Sequence, residues 1–372
     1  MRSILHQLLR CPMCRGRLQA EAFSESPDQE MVNGELRCAC GRRYPVVDTI
    51  PRMLENAYEL FPEFVERYGV RLARGTARED SPGADRSARL LTRTQKSFGY
   101  QWTTFSKMVC DFQDNFWNYL RPATPEFFRG RLGLDAGCGF GRHIYHAASC
   151  GAEMVGMDFS RAIDATRQNT KHLPNVHLVQ GDIYHPPFVD EAFDFVYSVG
   201  VLHHLPDPAR GLQSLEPLLK PGGSLFIWLY SSKRRVVNFL IETVRLVTTR
   251  LPHRLVRALS WLGAAVDWCG FVLPYRALAR LPAVERLTPA RIKVYSRYPF
   301  QVLYADWFDR LAAPVRFYYD EEGVRTMVAA AGLSKVQVVA TGLYGWRACG
   351  VKPGADVVAA DDGHAATRCV AT

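Results

Sequence analysis

Residues Arg131–His143 read RLGLDAGCGFGRH, and the fold follows from them. They have the form of a strand, a glycine turn and the start of a helix. Asp135 precedes the turn, and Gly137, Gly139 and Gly141 lie in it. Glycine permits positive φ and lets a ligand approach the main chain closely. The helix N-terminus that follows presents unpaired N–H groups. Such a turn suits a nucleoside-containing cofactor at the carboxyl edge of a parallel sheet. The spacing Gly-x-Gly-x-Gly, with an acid two positions upstream, departs from the dinucleotide fingerprint Gly-x-Gly-x-x-Gly, whose helix receives a pyrophosphate. A carboxylate at the turn repels a diphosphate and suits an amino group or a cationic ligand.

Working outward, residues 153–160, EMVGMDFS, form a second apolar strand segment carrying Asp158, 23 residues after Asp135. That is about the distance at which an acid meets ribose hydroxyls. Residues 176–183 read as a third strand ending in Gly181-Asp182, residues 193–199 as a fourth, and residues 224–230 as a fifth after the turn Pro221-Gly222-Gly223. Helical segments are expected between them at about 141–150, 160–171 and 208–220. Strands alternating with helices predict an α/β fold with a doubly wound, mostly parallel sheet. Asp135, Asp158 and Asp182 then share one sheet edge. A phosphate site has no use for three carboxylates. A ligand with an ammonium, a ribose diol and an exocyclic amine offers donors to all three.

The segments DAGCGFGRH, VGMDFS, QGDIYHPPF, FDFVYSVGVLHHLPDP and LLKPGGSLFIW occur in that order over about 132–230. They resemble the successive motifs of class I S-adenosylmethionine-dependent methyltransferases. The resemblance implies a Rossmann-like sheet with an antiparallel last strand, S-adenosylmethionine as cofactor, and a role for each motif residue. Asp135 and the backbone of Gly137, Cys138, Gly139 and Gly141 would hold the methionine end. Asp158 would bind the ribose, with Phe159 against the adenine. Asp182 would accept from the adenine amino group, with Ile183 beside it. Ser198 would offer backbone near the methionine carboxylate or sulfonium. The alternatives are a nicotinamide-binding fold or an inactive relative that keeps the sheet. Residues 320–352 fit the helix and closing antiparallel hairpin that the family implies, which makes 231–319 an insertion.

The chain of 372 residues accommodates a domain of about 200 plus accessories. Its 48% hydrophobic and 22% charged content is that of a soluble protein. The opening MRSILHQLLRCPMC has too short an apolar run for a signal peptide. No 18-residue charge-free run is present, so no spanning helix is expected, and a cytoplasmic location is expected. The division expected is a ribbon at 1–56, linker and cap helices at 57–130, a methyltransferase core at 131–230 and 320–352, a helical insertion at 231–319 and a disordered tail at 353–372.

Of ten cysteines, four cluster near the start as Cys11-x-x-Cys14 and Cys38-x-Cys40, with 23 residues between the pairs. Two close pairs at ribbon spacing point to a tetrahedral structural zinc site. Cys38-Ala39-Cys40 is one residue shorter than a standard knuckle, which leaves a three-thiolate or vacant site as the alternative. The surroundings, LLRCPMCRGRL and ELRCACGRRYPVVDTIPRML, resemble the zinc-ribbon family that includes the activator subunit of tRNA and release-factor methyltransferases. The resemblance implies structural support and partner contact, not methyl transfer.

Residues 75–90 are rich in Gly, Ser, Ala, Arg and Asp and read as a mobile linker. The aromatic run after it places Tyr100, Gln101 and Trp102 either near the cofactor or in simple packing on the sheet. The insertion carries the charge. Residues 231–300 hold 13 Lys plus Arg against 3 Asp plus Glu, a net of +10, while the remaining 302 residues balance at −1. Val236, Val237, Leu240, Val244 and Val247 fall on one helical side, with Arg235, Arg245 and Arg250 elsewhere. Such a segment suits a lid over the acceptor pocket, an anionic membrane surface, RNA phosphates, an acidic small molecule, or only a solvated basic face.

In-line methyl transfer needs alignment above all, and for some nucleophiles removal of a proton. His203 and His204, just past the fourth strand, are the candidates for that base, along with a packing or capping role. Tyr230, Tyr304 and Trp307 are further pocket candidates. The sequence therefore predicts a methyltransferase acting on a small-molecule or lipid-like acceptor. The rivals are an RNA (rRNA or tRNA) methyltransferase and a non-catalytic cofactor-binding scaffold.

Overall fold

The computed structural model describes residues 1–69, 82–342 and 344–354. Residues 75–81 of the expected linker and 355–372 of the expected tail lie outside them. Residues 82–90 are not linker but the first turns of a helix, α1, Pro82–Thr104. The Arg, Ala and Leu that follow Pro82 are good helix formers once Pro occupies the first position.

The N-terminal region is a four-stranded antiparallel sheet of β1 Leu18–Glu25, β2 Met31–Cys38, β3 Arg43–Val47 and β4 Ile50–Pro51. The second sheet holds β5 Leu132–Ala136, β6 Glu153–Asp158, β7 Val176–Gln180, β8 Phe193–Val199, β9 Leu219–Tyr230, β10 Ser334–Thr341 and β11 Gly345–Val351. Its order is β10-β11-β9-β8-β5-β6-β7. Five strands are parallel, and β11 runs antiparallel to both neighbours. This is the doubly wound α/β class expected, closed by the expected hairpin. The fifth parallel strand starts at Leu219, earlier than expected, because the preceding helix is short. Only Pro208–Gln213 and a 3-10 turn at Glu216–Leu218 are helical there.

Alternation along β8 explains the two layers. Val196 joins Leu134, Val155 and Ile227 on one face, and Phe195 and Tyr197 join Phe127, Phe128 and Ile144 on the other. The remaining helices used below are α2 Gln113–Leu120, α3 Arg142–Ser149, α4 Ala162–Thr170, α5 Pro208–Gln213, α6 Arg235–Thr248, α7 His253–Asp267, α8 Phe300–Ala312 and α9 Glu321–Ala330.

The small sheet sits on the open edge of the large one. Arg52, just past β4, bridges in parallel to Gln180 of β7, and Met53 N–H donates to Gln180 O at 2.7 Å. Leu9 bridges to Phe188. Unsatisfied strand-edge groups are thereby paired within the chain.

The insertion is helical. Its α7 continues through a π-turn at Trp268–Val272 to Leu278. This helix, His253–Leu278, is long and apolar enough to cross a membrane by length and composition alone, which a search for charge-free runs misses. Asp267 is charged but buried, and Arg291 and Trp307 bond it.

Candidate functional site

The order of the sheet reverses between β5 and β8, so the loops after these two strands diverge and leave a crevice. This is where ligands bind in open α/β folds. The pocket here is lined by the glycine turn, the ends of β6 and β8, Asp182 and Ile183 after β7, helix α1 above, and α8 of the insertion.

The turn after β5 is built on positive φ: +93° at Gly137, +57° at Gly139 and +93° at Gly141. A Cβ on Gly137 would stand 2.4 Å from Val201 Cγ2, so the cradle tolerates no side chain there. Gly137, Cys138 and Gly139 line the pocket. Gly141 does not. It caps α3 and packs against Thr166.

Asp135 lies just behind the turn rather than on the pocket wall. It is buried and its Oδ2 has no hydrogen-bond partner. Burial pushes its carboxyl up to about 8, with neighbouring Asp158 adding to the rise and Tyr197 opposing it. An orphaned buried carboxylate is costly unless a donor or cation meets it.

Asp158 reaches the wall. Its Oδ2 accepts from Gly139 N–H at 2.9 Å, and its Oδ1 from Ser160 N–H at 2.8 Å and Ser160 Oγ at 2.7 Å. Burial raises its pKa and those three bonds oppose the rise. Asp182 holds Tyr184 N–H at 3.0 Å through Oδ1 and also lines the pocket. Phe159 and Ile183 line it as well. The three acids thus gather around one crevice, with Asp135 beneath it. This is a donor-seeking site that fits an adenosyl cofactor with a free ammonium, and it offers no cationic cradle for a pyrophosphate beyond Arg142.

Ser198 is displaced from its expected place. Its hydroxyl donates to Ala136 O at 2.8 Å inside the sheet; β8 ends at Val199, as expected, and Ser198 does not line the pocket. Val199, Gly200 and Val201 line the pocket instead.

The two histidines part company. His203 is buried outside the pocket lining, with both ring nitrogens unpartnered. Burial holds its pKa well below the ordinary value. His204 lines the pocket. Its Nδ1 lies 2.7 Å from Val315 O. A carbonyl only accepts, so Nδ1 carries the proton and neutral His204 keeps an Nε2 lone pair. Nε2 lies 3.9 Å from Asp309 Oδ1. Burial lowers the His204 pKa to about 4 despite Asp309.

Asp309 itself is fixed by Tyr230 Oη at 2.8 Å and Arg316 Nη2 at 2.9 Å. Burial would raise its pKa, but Arg316 and His204 outweigh that and hold it low. Asp306, Asp309, Arg142, Gln95 and Phe98 line the pocket and escape sequence reasoning. Of the aromatic candidates, Trp102 and Tyr230 line it, as does Gln101. Tyr100 instead stacks on His253 at 4.9 Å, Tyr304 donates to Arg257 O and Trp307 to Asp267.

In the ribbon, the Sγ atoms of Cys11, Cys14, Cys38 and Cys40 all lie within 4.8 Å of one another. The contacts Cys11–Cys40 and Cys14–Cys38 measure 3.8 and 3.3 Å. Tetrahedral zinc with bonds of about 2.3 Å needs sulfur separations of roughly 3.8 Å. The short Cys38-x-Cys40 arm therefore reaches the cluster, and the donor set fits the metal.

The fold and its crevice define an α/β protein of the class that binds an adenosyl cofactor at the switch point. Residues 134–227 match the methyltransferase domain family, and residues 2–48 match the Trm112p-like protein family. The chain thus joins a Trm112p-like domain to a methyltransferase domain. It is 35% identical over 100 residues to a demethylmenaquinone methyltransferase of Staphylococcus haemolyticus, covering 26% of this chain and 42% of that protein. It is 36% identical over 115 residues to a tRNA U34 carboxymethyltransferase of Pseudoalteromonas atlantica, covering 30% and 35%. An uncharacterized protein of Synechococcus sp. is 37% identical over 233 residues, covering 59% and 52%. The chain spans about half or less of the length of these relatives. Among solved structures, a complex of the Haloferax volcanii Trm112 methyltransferase activator with a methyltransferase aligns at 14% identity. It covers 68% of this chain and 97% of that one, with a TM-score of 0.41.

Proposed function

We propose that the protein transfers a methyl group from S-adenosylmethionine to a small-molecule or lipid-like acceptor. The observation that carries this is the gathering of Asp158, Asp182 and Asp135, whose Oδ2 has no partner, about the glycine turn. Asp135 and the Gly137–Gly139 backbone would hold the methionine end, Asp158 the ribose, and Asp182 the adenine amine beside Phe159 and Ile183. The bound cofactor supplies an electrophilic methyl on sulfur. The chain's own part is alignment and exclusion of water. Helix α1 covers the pocket, tied down where Gln95 Nε2 donates to Phe159 O at 2.9 Å.

The acceptor would sit between α1 and α8, against Phe98, Trp228 and Tyr230. His204, with Nε2 free and Nδ1 fixed, would take a proton from it, and Asp309 would orient and stabilise the ring. His203 lacks access for that role. An acceptor side lined by Phe98, Trp228 and Tyr230 favours a small or lipid-like molecule over a nucleotide in a long chain. The resemblance to a demethylmenaquinone methyltransferase supports it. The comparable resemblance to a tRNA U34 carboxymethyltransferase and the basic insertion keep RNA as the second reading. A cytoplasmic location is part of the same reading, with four of the cysteines as metal ligands rather than disulfide partners.

Incubation of cell extract with methyl-labelled cofactor, followed by separation of lipid, small-molecule and RNA fractions, tests this reading. Label is expected in an organic-soluble or small-molecule product. Label in RNA alone selects the second reading. Tight cofactor binding with no label in any fraction selects the scaffold.

A further inference from the structure

Two insertion helices are built inside out. On α6 the buried positions include Arg245, 4% exposed, and Thr248, 6% exposed. Arg245 donates to Glu242 Oε1 at 2.5 Å and to Ala313 O, and Thr248 Oγ1 to Leu311 O at 2.8 Å. The opposite face presents Val236, Phe239, Leu240 and Val247, with Phe239 71% exposed. On α7 the inward positions are Val256, Ser260, Ala264 and Asp267, while Leu259, Trp261, Leu262 and Val266 point out. The inward face is thus polar on α6 and mixed on α7, and on both helices large apolar groups face away. Among the described residues, seventeen of the twenty-two exposed large hydrophobic side chains fall between Val236 and Val294. Monomeric soluble proteins rarely leave so much contiguous apolar surface uncovered.

The same helices carry Arg235, Arg254 and Arg257, and Arg280 and Arg286 follow further along the insertion, all exposed and in no ion pair among the described residues. Over 231–300 the net charge is +10. We propose that the outer face of α6 and α7 docks on an anionic lipid bilayer. Helices lying in the interface plane bury an apolar face below the headgroups while arginines meet lipid phosphates. Charge complementarity selects this occupant. A second copy would bring two strongly basic faces together. RNA would place phosphates against aliphatic side chains that need an apolar environment. The inference is independent of the acceptor's identity.

Flotation of the purified full chain tests it, using phosphatidylcholine vesicles with and without phosphatidylglycerol. The protein is expected to float only with the anionic vesicles, and less as salt rises. The variant Phe239→Glu/Trp261→Glu should lose flotation. Arg254→Gln and Arg257→Gln should each weaken binding about five-fold. All four residues are exposed, so thermal unfolding and calorimetric cofactor binding should be unchanged, which separates this result from a failure of the cofactor site. Absence of flotation by folded wild-type protein overturns the proposal. So do variants that float like wild type, a dimer in light scattering that Phe239→Glu disperses without any vesicle binding, and RNA binding through the same residues without flotation.

Discussion

Arg52 and Asp164 pair at 2.6 Å across the seam between the ribbon and the large sheet. Arg52 is 1% exposed. Its other amino group donates to Gln180 Oε1 at 3.2 Å, and Gln180 Nε2 donates to Phe159 O at 3.2 Å. The guanidinium also lies over Phe61, 4.5 Å from the ring centre. The ribbon therefore reaches the pocket wall through two consecutive hydrogen bonds, Arg52 to Gln180 and Gln180 to Phe159 O.

Arg52→Ala should lower the unfolding midpoint. Removing one member of a buried pair costs about 3–5 kcal/mol, and the cost here should be smaller, about 2 kcal/mol, because Arg161 also holds Asp164 at 2.7 Å. Cofactor affinity should fall modestly with it, since Gln180, one of the two donors to Phe159 O, loses the side chain that holds it. An unchanged melt with unchanged binding would show the seam to be incidental.

Asp158→Ala should weaken S-adenosylmethionine binding by an order of magnitude or more, as expected when a hydrogen-bonded carboxylate contact worth about 1.5–3 kcal/mol is removed. Asp182→Ala should do the same to a lesser degree, because Asp182 is partly open to solvent. Calorimetry reads both. Binding of a nicotinamide cofactor in place of S-adenosylmethionine would reject the site assignment.

Asp135 should make cofactor binding pH-dependent. Its folded-state pKa is raised from 3.8 to about 8 by burial. The stability it contributes is complete below its unfolded value and is lost as pH rises through 8. Asp135→Asn in the ligand-free protein should flatten that decline. At neutral pH an ammonium arriving beside Asp135 should expel its proton, so binding enthalpy should differ between phosphate and Tris buffers by their ionisation heats. Identical enthalpies in the two buffers would rule out a protonated Asp135.

His204 shifts the other way. Its folded pKa falls from 6.5 to about 4 through burial. Its contribution to stability is present above the unfolded value and is lost as pH falls from 6.5 through 4. His204→Gln should remove part of the acid destabilisation in that window, measured by urea unfolding at stepped pH.

Metal analysis should find about one zinc per chain. Cys38→Ser or a strong chelator should release it and unfold the ribbon, because binding energy of a structural metal is folding energy. Metal-free protein with an unchanged melt would refute the assignment.

Much of the core is legible in the sequence because each parallel strand is buried on both faces and appears as one apolar run, FDFVYSV above all. Asp158 and Asp182 are legible because each follows such a run, at or just past its end. Ser198 is not, since the strand's bounds are read correctly but say nothing of which carbonyl its hydroxyl finds inside the sheet. Asp306 and Asp309 are invisible for another reason. They lie more than a hundred residues from the glycine turn, within a helix whose pattern announces only packing. Periodicity also identified the apolar side of α6 without revealing its direction. Only the buried bonds of Arg245 and Thr248 turn that side outward.

Helix α8 has two clients. One side carries Asp306 and Asp309 into the crevice, and others receive α7 through Phe308 and Leu303 and bond α6 through Leu311 O. Whatever rests on the outer helices and whatever lies in the crevice are thus separated by roughly two helix diameters, about 20 Å, with α8 packed between them. The same helix therefore touches both the outer helices and the crevice, and its inner side ends on the carboxylate facing His204.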